Sequence, residues 1–509
     1  MTEPTPAPGG RRYGRGFAIG ALLAGIVFFW MVTDGSFDPG HRVPYSGNFY
    51  DVQAHRLLDG DLSMPAGVLG IEGYEHDGKS YMYFGPAPAL LRIPTAALTD
   101  SLDGRTGVAS MSLAFVVLMI ALGRVSWRVR RWSRGGRDEA AGAEIGGGVH
   151  VDHIDEVLAG GTAFVLGAGT TVIFLGVGPY VYHEATLWGV ALAFAAFEAI
   201  LAWVERPRPR VMLLASVLTL LALLSRLAVG LGPAAALGLL GLAIAVAQLG
   251  PRARRITARL GLVTQHLGWT TAVALVGAAL VPLAIYAACN LAKFGTLFSL
   301  PFEHQAVNAL VPERKAILAA NHGTLVNVRA LPTNLWQYLR PDAFRLDRAW
   351  PWVRLPTWRP TVFGGLRYDM LDFTSSVTAT MPLLFVLALG GIVAMVRTKA
   401  RVTVATLGSL DLPVLGAACA AVPSLVFVYI TERYMADFLL LLVLPALAGL
   451  HAFVRWARSP AATARRGWVV AASVVLGALA LWGCIANVSI ARDYQIGRER
   501  LTSFRDPGG

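Results

Sequence analysis

The chain has 509 residues, of which 55% are hydrophobic and only 15% are charged, and its mean hydropathy is +0.54. A soluble domain carries roughly 25% charged residues, so this composition excludes a soluble globular protein. The net charge of +12 does not indicate nucleic-acid binding, because the arginines lie at the ends of apolar runs and in loops, not along one face. Cys289, Cys419 and Cys484 each lie in an apolar run, which predicts neither a disulfide framework nor a metal cluster.

Apolar runs recur along the whole chain at about the length of twenty residues that a helix needs to cross a bilayer. The first run, from about Phe17 to Val32, follows three arginines in the manner of a signal peptide, but no small-x-small cleavage site follows it cleanly. We therefore predict a retained first span and an all-α, polytopic protein with about eleven transmembrane helices. Further spans are predicted near residues 106–125, 158–178, 185–204, 211–225, 229–249, 268–290, 378–396, 412–430, 435–454 and 468–488.

The segments between the runs alternate in charge. Arg-rich stretches occur at 124–137, 206–210, 252–259, 397–401 and 455–466. The turns between them, at 178–184, 225–230 and 431–436, contain no Lys, and their only arginines are Arg226 and Arg433. The positive-inside rule places the Arg-rich stretches in the cytoplasm, the N-terminus inside and the C-terminus outside. Because arginine greatly outnumbers lysine and Ala, Gly, Leu and Val dominate, we predict a multi-pass protein of a bacterial cytoplasmic membrane.

This topology divides the chain into five regions. We predict a cytoplasmic tail at 1–16, a transmembrane core at 17–290, an extracytoplasmic loop at 291–377, C-terminal transmembrane helices at 378–488 and an extracytoplasmic tail at 489–509. The core includes a first outer loop at 33–106, so the two long loops follow helices 1 and 7 and share one side of the membrane. The Gly/Ala-rich stretch at 135–148 is typical of a flexible connector.

The first outer loop has the most informative sequence. From Phe49 to Leu58 its pattern predicts a short amphipathic helix along the membrane surface. This helix is followed by a turn and then by the stretch HDGKSYMYFGPAP at 76–88. The next piece, ALLRIP at 89–94, is apolar but too short to span a membrane. Two further motifs are YAACNLAKFG at 286–295 and ERY at 432–434.

Together these motifs resemble the GT-C superfamily of membrane glycosyltransferases. The loop at 45–94 is similar to the family pattern "D…Y…A…LL.G.L" followed by "dGK.Y.Y..P.PALL..P", and the other two motifs are similar to its "YN..RFG" and "RY" elements. The span pattern of the whole chain fits, and the specific motifs cover about a fifth of it. The resemblance implies inverting transfer of a sugar from a polyprenyl-phosphate donor to a glycan or lipid acceptor at the outer face, in contact with membrane lipids.

A general base is the first residue that such a transfer requires. Many relatives carry the catalytic carboxylate at the start of the loop helix, one turn before the Tyr, but here residues 45–48 read YSGN and contain no acid. Asp51 follows Tyr50 and is the nearest acid, so we predict that Asp51 is the base, with Asp34 as the substitute. Asp51 could alternatively be a solvated or capping acid on a surface helix.

Cations that stabilise the departing lipid phosphate are the second requirement. Arg226 lies between two apolar runs, where a charge normally faces a cavity or a partner. Arg433 could bind phosphate bidentately, or it could be an interfacial arginine paired with Glu432. We predict that Arg226 and Arg433 bind the donor phosphate, and that Tyr50 and Tyr434 line the acceptor site or cavity.

His183 and Glu184 form an outer turn and are also predicted to line the acceptor groove or cavity. The alternative is that this turn only anchors the chain at the membrane interface through its Tyr and Trp neighbours. With an acid from the outer loop they could hold a divalent cation, but one His beside one Glu falls short of the three or more ligands of a usual site. We therefore predict no metal site or cofactor, with a divalent cation as the alternative. Two alternatives to an enzyme stay open: a transporter or flippase for a lipid-linked or anionic solute, and an inactive assembly partner of GT-C shape.

Overall fold

The structure, a computed structural model, describes residues 8–43, 46–134, 151–259, 267–309, 311–398 and 405–503. The predicted connector at 135–148 and Tyr45 of the first-loop motif lie outside these residues. Within the described ranges the chain is all-α, and its β-structure consists of three short two-stranded sheets.

The first part of the chain contains one long helix and a structured loop. Helix α1 (Pro8–Val32) leads into the first loop, residues 33–106, where a 3-10 turn (Gly70–Glu72) precedes a β-hairpin. The loop elements are α2 (Phe49–Leu58), β1 (Tyr74–His76), β2 (Lys79–Tyr81), α3 (Ala87–Leu90) and α4 (Ile93–Ala96). The helices that follow are α5 (Gly107–Arg134), α6 (His153–Ala168), α7 (Thr171–Leu175), α8 (Val181–Glu205), α9 (Pro209–Leu223), α10 (Leu227–Ala247), α11 (Pro251–Arg259) and α12 (Trp269–Phe294).

The second part of the chain begins with another structured loop. This second loop, residues 295–376, holds α13 (Pro312–Ala320), α14 (Leu331–Leu339), β3 (Arg345–Leu346), β4 (Val353–Arg354) and β5 (Met370–Leu371). The elements after it are α15 (Val377–Thr380), α16 (Pro382–Arg397), α17 (Asp411–Leu425), β6 (Tyr429–Ile430), a 3-10 helix (Glu432–Phe438), α18 (Leu439–Ala457), α19 (Pro460–Thr463) and α20 (Arg466–Ser503).

Within the described ranges, eight helices are long and apolar enough to cross a membrane, which makes the chain a multi-pass membrane protein. They are α1, α5, α8, α10, α12, α17 together with the 3-10 turn before it (Leu407–Leu425, 19 residues), α18 together with the 3-10 helix before it (Glu432–Ala457), and α20. The three other predicted spans correspond to α6, α9 and α16, which have only 16, 15 and 16 residues. At 1.5 Å per residue such helices reach about 24 Å, which is less than the hydrocarbon core of about 30 Å. The total of about eleven spans therefore stays a prediction.

The helices differ in how far the protein itself covers them. In α8, 89% of an apolar stretch of 18 residues is buried by the rest of the protein, whereas in α20 only 11% of such a stretch is buried. Helix α8 therefore lies at the centre of the bundle, whereas the apolar stretch of α20 presents its surface to lipid. Helix α20 also continues to Ser503, past the predicted end of that span at 488.

Glycines allow two of the helix pairs to pack closely. A Cβ at Gly20 of α1 would collide with the backbone of Gly160 in α6, and a Cβ at Gly391 of α16 would collide with the carbonyl oxygen of Pro445 in α18. Gly449 of α18 meets the backbone of Leu387 in the same way. Small residues at such positions let membrane helices approach until their backbones touch, where dispersion stabilises the contact.

The two loops meet at one end of the bundle, which we call the loop end. The backbone amide of Ala306 in the second loop donates to the carbonyl oxygen of Gly73 in the first, 2.9 Å away. Strand β5 of the second loop pairs in parallel with β6, which connects α17 to α18. The two loops therefore contact each other at one end of the bundle, and the side of the membrane that this end faces stays a prediction.

Described arginines of two Arg-rich segments, 124–134 and 455–466, meet at the opposite end. Arg130 of α5 donates to Asp155 of α6 over 2.5 Å, and Arg458, just after α18, approaches Asp152 to 3.2 Å. These ion pairs connect the start of α6 to the end of α5, the preceding helix, and to the end of α18, which is about 300 residues away in sequence.

Candidate functional site

A cavity of about 260 Å³ lies at the loop end, where membrane helices meet both loops. Its wall combines the first loop after β2, the junction of α9 and α10, the last turns of α12, the second loop and the end of α17. The polar lining side chains are Tyr83, Ser225, Arg226, Tyr286, Cys289, Asn290, Lys293, Ser299, Thr324, Ser424 and Tyr434. Two larger cavities, about 530 and 500 Å³, are lined almost wholly by apolar side chains of membrane helices. The polar chemistry is therefore concentrated in the smallest of the three.

Arg226 lies in this cavity wall because the chain is extended between α9 and α10, with φ −149° and ψ 111° at Arg226. Its guanidinium donates to both carboxylate oxygens of Asp437, each over 2.7 Å, and stands 5.1 Å from the ring of Tyr434. The hydroxyl of Ser424 donates to the same carboxylate. The bidentate pair neutralises Arg226, as its position between two apolar runs requires.

Lys293 is a second cation in the wall. Its side chain is buried near the end of α12, and its Nζ donates to the backbone carbonyl of Phe84 in the first loop over 2.9 Å. Nζ also lies 4.8 Å from the ring of Phe294. No carboxylate oxygen of the described residues comes within 4.0 Å of it.

The turn after α12 explains why Asn and Gly occur in the motif at 286–295. The Asn290 side-chain amide donates to the carbonyls of Thr296 (2.9 Å) and Ser299 (3.0 Å), and Gly295 has φ +68°. A left-handed residue closing a helix is usually glycine, since a Cβ is strained there. Asn290 and Gly295 therefore fold the chain back over the cavity and hold Lys293 at its wall.

Arg433 lies beside this cavity in a cluster of tyrosines. Its guanidinium carbon is 5.1 Å from the ring of Tyr182, 5.6 Å from that of Tyr429 and 5.3 Å from that of Tyr434. No carboxylate of the described residues lies within 4.0 Å. The alternative in which Arg433 pairs with Glu432 is wrong, because Glu432 accepts hydrogen bonds from Thr374 and Ser375 instead.

Two carboxylates stand near Arg433 without bonding it directly. Burial raises the pKa of Glu72, while Arg433 and the hydroxyl of Tyr182, 3.4 Å from the Glu72 carboxylate, oppose that shift. Burial also raises the pKa of Asp372, against the opposing effects of a hydrogen bond from Thr431 and the charge of Arg433. Both carboxylates are therefore better proton acceptors than freely solvated ones.

Asp51 lies in a different, closed cluster. One carboxylate oxygen accepts from Nε of Arg92 (2.9 Å) and from the hydroxyl of Thr106, and the other accepts from the amide of Gly104 (2.9 Å). Arg92 also donates to both oxygens of Glu184, over 2.6 and 3.0 Å. Helix α2 has the predicted bounds, but its Asp51 face packs against protein rather than lying free on a membrane surface.

The other predicted site residues divide between these clusters. Tyr50 places its ring 5.5 Å from Arg92, so Tyr50, Asp51 and Glu184 come together, whereas Arg226, Arg433 and Tyr434 gather at the cavity. Asp34, with φ +49° after the end of α1, pairs with Arg492 of α20 and joins neither cluster. His183 is buried, with its ring 5.7 Å from those of Phe174 and Tyr180.

No group of three or more His, Cys, Asp or Glu side chains that could hold a metal ion occurs in the part of the chain that the structure describes. The divalent cation stays an untested alternative.

Five charged residues at these sites were missed in the sequence: Lys293, Arg92, Glu72, Asp372 and Asp437. Lys293 and Arg92 each carried a signal, because each is a charge inside an otherwise apolar piece of a motif, where a charge needs a partner or a cavity. Glu72 carried none, since it is one acid among several in a polar loop.

Two solved structures are similar to this chain, both of the oligosaccharyltransferase AglB of the archaeon Archaeoglobus fulgidus. The apo crystal structure has a TM-score of 0.48 and 12% identity, and the match covers 97% of this chain and 58% of that one. The complex with an inhibitory peptide and a dolichol-phosphate also has a TM-score of 0.48 and 12% identity, with 94% and 56% covered. The chain thus spans a little over half the length of either structure. No protein-family model and no curated protein matches the sequence.

Proposed function

We propose that this protein is a membrane glycosyltransferase that moves a sugar from a polyprenyl-phosphate donor to an acceptor at the loop end. The observation that carries the proposal is the cavity beside the membrane helices, which places Arg226, Lys293 and Tyr434 next to the Arg433 cluster. Beside this cavity, the buried Arg433 stands near Glu72 and Asp372, two carboxylates of raised pKa. Cations and proton-accepting carboxylates are the groups that transfer from a lipid phosphate requires. The GT-C-like motifs supply wall residues of this same cavity.

In the proposed reaction a carboxylate accepts the proton of an acceptor hydroxyl. The hydroxyl oxygen attacks the anomeric carbon, the bond from that carbon to the phosphate oxygen breaks, and the polyprenyl phosphate leaves with the bonding electrons. Cations at the cavity stabilise the charge on the leaving phosphate. Attack opposite the leaving group inverts the anomeric configuration.

The geometry favours Glu72 over Asp51 and Asp34 as the base. A general base needs a lone pair that faces the acceptor. Asp51 accepts from three donors in a closed cluster, and Asp34 is paired with Arg492. Glu72 is half-buried, accepts only the 3.4 Å bond from Tyr182 in the described chain, and has a raised pKa because of burial.

The test is transfer of labelled sugar from synthetic polyprenyl-phosphate-linked sugars into membrane glycans and lipids by the purified, full-length protein. We expect Glu72→Gln to reduce transfer about a hundredfold or more, as loss of a general base does. Asp51→Asn and Asp34→Asn are compared at matched thermal stability. A hundredfold loss in a stable Asp51→Asn protein, with Glu72→Gln active, would return the base to Asp51.

The same preparation in proteoliposomes tests the transporter alternative. Counterflow of a lipid-linked or anionic solute without any covalent product would overturn the transferase proposal. Transfer without counterflow would exclude the transporter.

A further inference from the structure

Lys293 is a buried ammonium group without a counterion among the described residues. Its side chain is only 3% exposed, and the hydrogen bond to the Phe84 carbonyl uses one of its three donors. The Phe294 ring adds a cation–π contact, but neither group carries a negative charge. Burying an unpaired charge costs far more free energy than burying a paired one, so this site favours an anion as its partner.

Arg226, in the same wall, needs no further counterion. Asp437 binds it bidentately, and Ser424 donates to that carboxylate. The charges of Arg226 and Asp437 cancel, and the remaining side chains of the wall are aromatic, apolar, hydroxyl, thiol or amide groups. Lys293 alone therefore makes the cavity wall electropositive.

The row of residues on α12 shows where an anion would come from. Tyr286, Cys289, Asn290 and Lys293 are spaced by three and four residues, so one face of the helix lines the cavity. Val281 and Ile285 extend the Cys289 row by steps of four, away from the loop end, and are 56% and 43% exposed. An apolar strip thus runs from the cavity along a membrane helix, which suits a lipid chain attached to the anion.

We propose that Lys293 binds the phosphate of a prenyl-phosphate lipid, whose chain lies along the Val281–Ile285 strip of α12. Arg226 is then a positioning residue, already satisfied by Asp437. The inference rests on the proposed function for the identity of the lipid as a sugar donor, and it moves the phosphate contact from the predicted Arg226 and Arg433 to Lys293.

The experiment measures binding to the purified, full-length protein in neutral detergent, with no sugar and no acceptor present. The probes are farnesyl monophosphate, farnesol as its uncharged counterpart and inorganic phosphate, and the readout is the ligand-dependent rise in unfolding temperature. Lys293→Met and Lys293→Gln remove the charge and Lys293→Arg keeps it. Lys79→Met, at a 55% exposed lysine of the first loop, is the matched control.

We expect farnesyl monophosphate to stabilise the wild type and the Lys79→Met and Lys293→Arg proteins. The neutral variants at 293 should bind it about ten- to a hundredfold more weakly, which corresponds to loss of one hydrogen bond to a charged group. Farnesol should bind the wild type and the neutral variants equally. Inorganic phosphate should give little stabilisation at the same concentration.

Unchanged affinity in both neutral variants would overturn the assignment, and so would equal stabilisation by inorganic phosphate, which would identify a free-anion site. Weakening in Lys79→Met as well would show a general charge effect and would also overturn it. Binding is measured apart from transfer. If the neutral variants bind and transfer as the wild type does, only the role of Lys293 is refuted. If binding depends on Lys293 but no sugar is transferred, only the proposed glycosyltransferase activity is refuted.

Discussion

Replacing Arg92 with methionine should leave Asp51 and Glu184 buried without a cation. Arg92 donates to Asp51 over 2.9 Å and to Glu184 over 2.6 and 3.0 Å, and all three side chains are at most 5% exposed. Removing one partner of a buried ion pair costs about 3–5 kcal/mol, because the remaining charge is desolvated. Since two carboxylates lose their partner here, we expect a loss at the upper end, about 5 kcal/mol.

Thermal unfolding in detergent, followed with a thiol-reactive dye, measures this loss. Cys289, Cys419 and Cys484 are free and half-buried, so unfolding exposes native reporters. The control is Arg56→Met, at a first-loop arginine that is 31% exposed and pairs with Asp61, because such exposed pairs contribute only about 0–1 kcal/mol. Equal unfolding temperatures for the two variants would refute the reasoning.

A fully neutral cluster tests the mechanism of the loss. The triple variant Asp51→Asn, Arg92→Met, Glu184→Gln removes every charge, so it should unfold at a higher temperature than Arg92→Met alone. If it unfolds lower, unpaired charge is not the cause. The comparison also shows whether any loss of activity in Asp51→Asn follows from loss of stability.

Two further predictions concern proton transfer and charge pairing at the site. If Glu72 is the base, kcat/KM for transfer should fall as the pH is lowered, and this fall should begin at a pH above the ordinary pKa range of glutamate. The reason is that burial raises the pKa of Glu72 and protonation removes the base. The pH profile of the wild type measures this, and a profile of Glu72→Gln with the same fall at acidic pH would contradict it. The pair of Asp34 with Arg492 is 31% and 22% exposed, so Asp34→Asn should cost at most about 1 kcal/mol and leave transfer unchanged; a hundredfold loss of transfer would instead make Asp34 the base.

The sequence alone determined where the long apolar helices lie. Each of the eleven predicted spans corresponds to a helix, because lipid requires every crossing segment to satisfy its backbone internally and to expose apolar side chains. Helix α2 has the predicted bounds, Phe49–Leu58, since a short amphipathic period is a local property. The charges of the loops predict that both long loops lie on one side of the membrane, and in the structure the two loops contact each other at one end of the bundle. The predicted span at 468–488 ends before helix α20 does, because a search for apolar residues does not detect the polar turns by which the helix continues to Ser503.

Only the tertiary structure decided which charges meet. Asp51 and Arg92 are 41 residues apart, Arg226 and Asp437 are 211 apart, and Lys293 bonds a carbonyl 209 residues away. Sequence patterns report which groups are charged, but the partner of a buried charge depends on helix packing and on the path of two loops. For this reason Asp51 looked like an accessible base and lies in a closed ion pair. Lys293 looked like one residue of a motif, and packing places it as the unpaired cation of a cavity.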